Sequence, residues 1–193
     1  GTCRKLHVLQ PSSADRPMAP AARGHAGIKG MSGNRPLVEI SMGIEAFASE
    51  WLHCDRISSY LARMVSHNRA DSLLYANLLS SALNELLEIA FAHHGPEGDF
   101  SCRVSRSGDA DVIELDLPCD EATLSYYSEA AQRLKRPDVA ELYHSALFSP
   151  GSADPHLGLL EVAVDYRARI SIVPDNGNRL KLAAEMALEG AAA

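Results

Sequence analysis

Asn77-Leu78-Leu79-Ser80-Ser81-Ala82-Leu83-Asn84-Glu85-Leu86-Leu87-Glu88-Ile89-Ala90-Phe91-Ala92-His93-His94-Gly95 carries two patterns at once. Leu79, Ala82, Leu83, Leu86 and Ala90 recur at helical spacing and make one apolar stripe, whereas Asn84, Glu85 and Glu88 lie off it. Gly95-Pro96 ends the helix, because Gly tolerates positive φ and Pro cannot continue the hydrogen-bond ladder. Asp71 is placed to cap the start, so the spacing predicts a helix over 71–94. His93 and His94 fall in its last turn, where imidazolium complements the helix dipole.

Elements follow on both sides. Residues 36–42 alternate as a strand, and Ile44, Phe47, Trp51, Ile57, Tyr60, Leu61 and Met64 predict a helix over 44–66. Downstream, residues 100–106 and 112–117 pair around Ser107-Gly108-Asp109-Ala110, a hairpin signal. Helical segments at about 121–135 and 138–148 come next, and the chain closes with strands at about 168–173 and 179–186 around Asp175-Asn176-Gly177-Asn178. This order predicts an α+β fold: a two-layer sandwich with helices on one face of a mixed, mainly antiparallel sheet.

Composition divides the 193 residues unevenly. Residues 1–35 hold six cations against Asp15 alone, a balance of +5, which leaves −12 on residues 36–193 out of a total of −7. The first part is poor in apolar periodicity and reads as a flexible basic tail, either a leader before Met31 or an upstream extension. Residues 36–193 read as a single domain whose charge disfavours nucleic acid. Cys3, Cys54, Cys102 and Cys119 show no metal-ligand spacing, and no apolar run is long enough for a membrane span. A reduced, cytoplasmic protein with buried thiols and no metal of its own is the expectation.

The 77–95 segment resembles the N-box helix of the histidine-kinase-like ATPase superfamily, and in length and layout the chain is most similar to bacterial anti-sigma serine kinases and partner-switching regulators. The resemblance implies the Bergerat-type sandwich, an ATP and Mg²⁺ site, and Glu85 as general base with Asn84 beside it. The family's Mg²⁺-holding Asn, four residues after the Glu, is replaced by Ile89, which offers no oxygen to a hard cation. Asp116 stands at the adenine-reading Asp of the next box, but Pro118 and Asp120 replace its glycines. Gly151 and Gly158, in Gly151-Ser152-Ala153-Asp154-Pro155-His156-Leu157-Gly158-Leu159, correspond to the phosphate loop; Asp154 brings a negative charge to it.

These departures point to a degenerate kinase that works by binding a protein such as a STAS-type antagonist, a sigma factor or a response regulator. An active serine/threonine kinase is the alternative within the family. Tyr126, Tyr127, Tyr143 and Phe148, in the helical insert that replaces the family's lid, are then expected to present an aromatic partner surface. A second constellation, Ser66-His67-Asn68-Arg69, resembles the phosphoacceptor box of sensor kinases with Asn68 in place of the acidic residue. It offers His67 as phosphoacceptor in a histidine phosphotransfer homodimer, a reading that needs an exposed apolar stripe on the first two helices. Glu85 and Glu88 also fit the solvated face of an ordinary amphipathic helix.

Overall fold

A computed structural model describes residues 36–69, 71–149, 153–175 and 178–188. The proposed tail, Gly151 and the Asn176-Gly177 turn therefore lie outside the described residues. Every described residue belongs to one compact unit, Ser32–Ala193.

Five strands form one sheet: β1 (Val38–Gly43), β2 (Asp99–Ser107), β3 (Ala110–Pro118), β4 (Arg169–Asp175) and β5 (Arg179–Met186), in the order β1-β2-β3-β5-β4. Every neighbouring pair is antiparallel. The sheet is thus wholly antiparallel where a mixed one was expected. The helical connection after β3 returns the chain so that β4 runs in the same direction as β3, and β5 lies in the slot between them, antiparallel to both.

Strand alternation sorts the two faces. Phe100, Cys102 and Val104 of β2, Ile113, Leu115 and Leu117 of β3, and Leu180, Leu182 and Ala184 of β5 are buried. The intervening residues make a charged face on which Arg103 links Glu39 of β1 to Glu114 of β3, and Arg169 faces Glu185. At the β2–β3 turn Gly108 has φ +61°, the positive value that the first loop position of a type II′ hairpin requires.

The helices are α1 (Ile44–Phe47), α2 (Leu52–Ser66), α3 (Ser72–Ala92), α4 (Glu121–Leu134), α5 (Val139–Leu147) and α6 (Leu157–Asp165). The helix expected over 44–66 is broken at residues 48–51. The break turns Phe47 inward, stacked on Phe100 with ring centroids 4.2 Å apart, while Trp51 packs edge-on to Phe91 at 5.1 Å.

α3 is the central helix: Leu79, Ala82, Leu83, Leu86, Leu87 and Ala90 are all fully buried. Its first turn is capped as the sequence predicts, with Asp71 Oδ1 accepting from the Leu74 amide at 3.0 Å. Buried Asp111 at the start of β3 anchors the α2–α3 turn to the sheet; its Oδ1 accepts from Tyr75 Oη at 2.8 Å and from Arg69 Nη2 at 3.4 Å.

Candidate functional site

α3 and α6 face each other, and their contact brings together the residues singled out in the sequence. Ile89, only 8% exposed, lies against Gly158 in the first turn of α6. A Cβ at Gly158 would stand 3.1 Å from Ile89 Cδ1, so the isoleucine side chain fills the space that the glycine leaves. The gap between the two helices is closed there by apolar contact.

One to two turns toward the N-terminus of α3 the facing surfaces are acidic. Burial pushes the Glu85 carboxyl up, and Glu161 of α6 and Glu88 reinforce the rise. Glu161 is likewise raised, by burial and then by Asp165 and Glu88. Asn84 Nδ2 donates to Glu88 Oε1 at 2.6 Å, and Tyr143 of α5 donates to Asp165 Oδ2 at 2.8 Å. Glu88 also helps burial raise the Cys54 thiol to about 11. This accumulation of like charge disfavours a phosphate and makes Glu85 and Glu161 hold their protons more tightly than usual. Among the described residues no cluster of His, Cys, Asp and Glu is arranged to hold a metal.

Asp116 is not part of this cleft. It alternates with buried Leu115 and Leu117 and so projects from the opposite, charged face of the sheet, where Arg179 Nη2 approaches its Oδ1 to 2.6 Å. The backbone after β3 is sealed rather than open. Gly95 donates its N–H to the Pro118 carbonyl at 2.7 Å, and a Cβ at Gly95 would lie 2.9 Å from the Cys119 amide nitrogen. Cys119 N–H in turn donates to the Asn178 carbonyl at 2.7 Å. Asp120 caps α4 by accepting from the Thr123 amide at 2.8 Å, which holds its carboxyl below the usual range. Residues 118–120 are therefore consumed as a strand exit and a helix cap.

At the start of α6, Asp154 takes the role of an internal anion. Its carboxylate accepts from Arg133 of α4 through both oxygens, at 2.7 and 2.6 Å, and from the His156 amide at 2.9 Å. This fork holds the Asp154 carboxyl well below its ordinary value. Tyr126 is sandwiched between His93 and His156, with centroids 3.6 and 4.7 Å away. Tyr127 is fully buried and Tyr143 nearly so, so three of the four aromatic residues expected to form a partner surface are packed inward or between rings. Phe148 alone, 83% exposed, stands free.

These residues do not fit a Mg²⁺-nucleotide. At the positions to which the sequence resemblance assigns such a site, Ile89 makes an apolar contact, the cleft around Glu85 is acidic, the strand-borne Asp116 faces away, and the α6 N-terminus carries its own carboxylate. Glu85 faces Glu161 of α6 and Asn84 is tied to Glu88 on its own helix; Asp116 and His67 lie elsewhere. His67 is exposed at the C-cap of α2, and Glu85 lies about 20 Å further along α3. Sequence reading missed the Arg133–Asp154 fork and the His93–Tyr126–His156 stack. Both join residues 21 to 63 positions apart, with no local pattern to mark them.

Comparison with family models, with curated proteins and with solved structures finds no match to this chain.

Proposed function

We propose that this domain is a signalling regulator with a degenerate histidine-kinase-like ATPase fold, acting by protein binding in a bacterial partner-switching or two-component pathway. The observation that carries the reading is the Ile89–Gly158 contact: the two positions that the resemblance assigns to metal and phosphate lie side by side, and an aliphatic side chain occupies the space between them. The α+β architecture, with the N-box-like helix α3 as the central buried helix, supports the same reading, from which the purely antiparallel pairing of the sheet departs. A STAS-type antagonist, a sigma factor or a response regulator is the partner class that this reading implies.

Calorimetric titration with ATP and Mg²⁺ tests it. Absence of saturable heat at micromolar to millimolar nucleotide is expected; micromolar affinity would instead restore the active serine/threonine kinase, with Glu85 as its base.

One observation favours a histidine phosphotransfer reading. α2 does carry an exposed apolar pair, Tyr60 and Met64, on the helix that ends at exposed His67. Against it, the apolar stripe of α3 is spent on the core of its own domain, leaving little of that helix for a dimeric bundle. Acid-labile phosphate on the wild type after incubation with phosphoramidate, lost in His67→Ala, would decide for this reading.

A further inference from the structure

The outer face of α2 sets exposed apolar side chains beside arginines. At 100° per residue, Leu52, Arg56, Tyr60, Arg63, Met64 and His67 share an arc of roughly 120°. All six are exposed, Tyr60 by 59% and Met64 by 52%. No acidic residue falls within the arc, although residues 36–193 carry a formal charge of −12. Arg56 and Arg63 make no ion pair among the described residues, whereas most cations of the domain are engaged: Arg69, Arg103, Arg106, Arg133, Arg136, Arg169, Arg179 and Lys181. An aromatic and a thioether side chain held in water beside two unpaired guanidinium groups is the composition of an interface core rather than of a solvated helix face.

From this we infer that α2 is a docking surface for an acidic amphipathic helix of a partner protein. Arg56 and Arg63 are seven residues apart, about 10 Å along the axis. A partner helix laid along α2 meets them with carboxylates two turns apart and sets aliphatic residues against Tyr60 and Met64 between them. Screening confines the repulsion from the rest of the domain to about 8 Å at physiological ionic strength, so the local sign of the stripe governs the contact. A second copy of this chain is the poorer occupant. Two-fold pairing of the stripe with itself brings arginines against arginines with no carboxylate between them.

This proposal rests on the binding reading above and names the surface and the chemistry of its partner; it moves that surface from the α4–α5 insert, whose tyrosines are packed, to α2. The test uses the full chain and two fluorescein-labelled helical peptides, one with Glu at positions seven apart and Leu between them, the other identical but with Lys for Glu. In fluorescence anisotropy the Glu peptide is expected to bind saturably and the Lys peptide at least tenfold more weakly. Arg56→Glu with Arg63→Glu should reverse that preference, and Tyr60→Ala should weaken the Glu peptide about tenfold, all with melting temperatures near wild type because the side chains are exposed. Equal affinity for both peptides, or a preference untouched by the charge reversal, overturns the proposal. So does a dimer in sedimentation that Tyr60→Ala dissolves, which assigns the stripe to a second copy. Nucleotide titration separates the two levels: Mg-ATP binding together with peptide docking on α2 removes only the degenerate-kinase reading, and silence from both peptides without nucleotide binding removes only the α2 surface.

Discussion

Ile89 is the residue at which packing and the proposed function meet. Its aliphatic arms lie on Gly158, so Ile89→Asn trades a buried apolar contact for an amide with no prepared partner. The loss should be about 2–4 kcal/mol, read as a lower urea midpoint at unchanged slope. The variant should also remain silent toward Mg-ATP in calorimetry, because Asp116 still faces the other side of the sheet and the acidic cleft is intact. Gain of nucleotide binding by this single change would mean that the remaining site is functional. Gly95 poses the opposite steric problem. With a Cβ 2.9 Å from one backbone atom and 3.0 Å from another, Gly95→Ala forces the strand exit and α3 apart, at a cost of about 1–3 kcal/mol in chemical denaturation. A variant as stable as wild type would show that the close approach is relaxed in solution.

Between α3 and α6 the balance of charge sets a pH dependence. Glu85 and Glu161 are raised above their ordinary value of 4.5, so the folded state holds their protons more tightly than the unfolded chain does. Their contribution is therefore most favourable below that value and is lost as pH rises through the raised pKa. Above the raised pKa both carboxylates carry charge and their repulsion opposes the fold. Glu161→Gln should raise the melting temperature at pH 7 by roughly 1–2 °C after solvent screening, and the gain should vanish near pH 4.5, where wild type is itself becoming protonated. A gain independent of pH would assign the effect to packing rather than charge. This cleft was only half legible in the sequence. Glu85 and Glu88 stood out as off-stripe acids on α3, but Glu161 and Asp165 carry no motif of their own, and nothing local told that α6 would face α3. The same division holds for the insert: its two helices fall where the sequence places them, whereas the stacking of Tyr126 depends on His93 and His156, far away in the chain.

For the molecule as a whole, patterns with a short period were readable and those that close over long sequence distances were not. All five strands and the long central helix fall where alternation and helical spacing place them, because each needs only its own residues to declare an apolar face. Strand order and the purely antiparallel pairing come from how the three-helix connection and the β4–β5 turn return the chain, which local pattern does not encode. The state of the proposed nucleotide site is a property at this same scale, and it has a direct thermodynamic readout. A ligand present at a hundredfold excess over its Kd stabilises the folded state by about 2.7 kcal/mol, which for a domain of this size moves the melting temperature by roughly 5–10 °C. Were the domain to bind Mg-ATP at about 10 μM, 1 mM nucleotide would deliver that shift. With Ile89 on Gly158, Asp154 forked to Arg133 and Asp116 on the far face of the sheet, the expected shift is below about 1 °C in a thermal scan at 1 mM Mg-ATP. A shift of several degrees, abolished by Glu85→Ala, would place nucleotide in the α3–α6 cleft and overturn the degenerate-site reading.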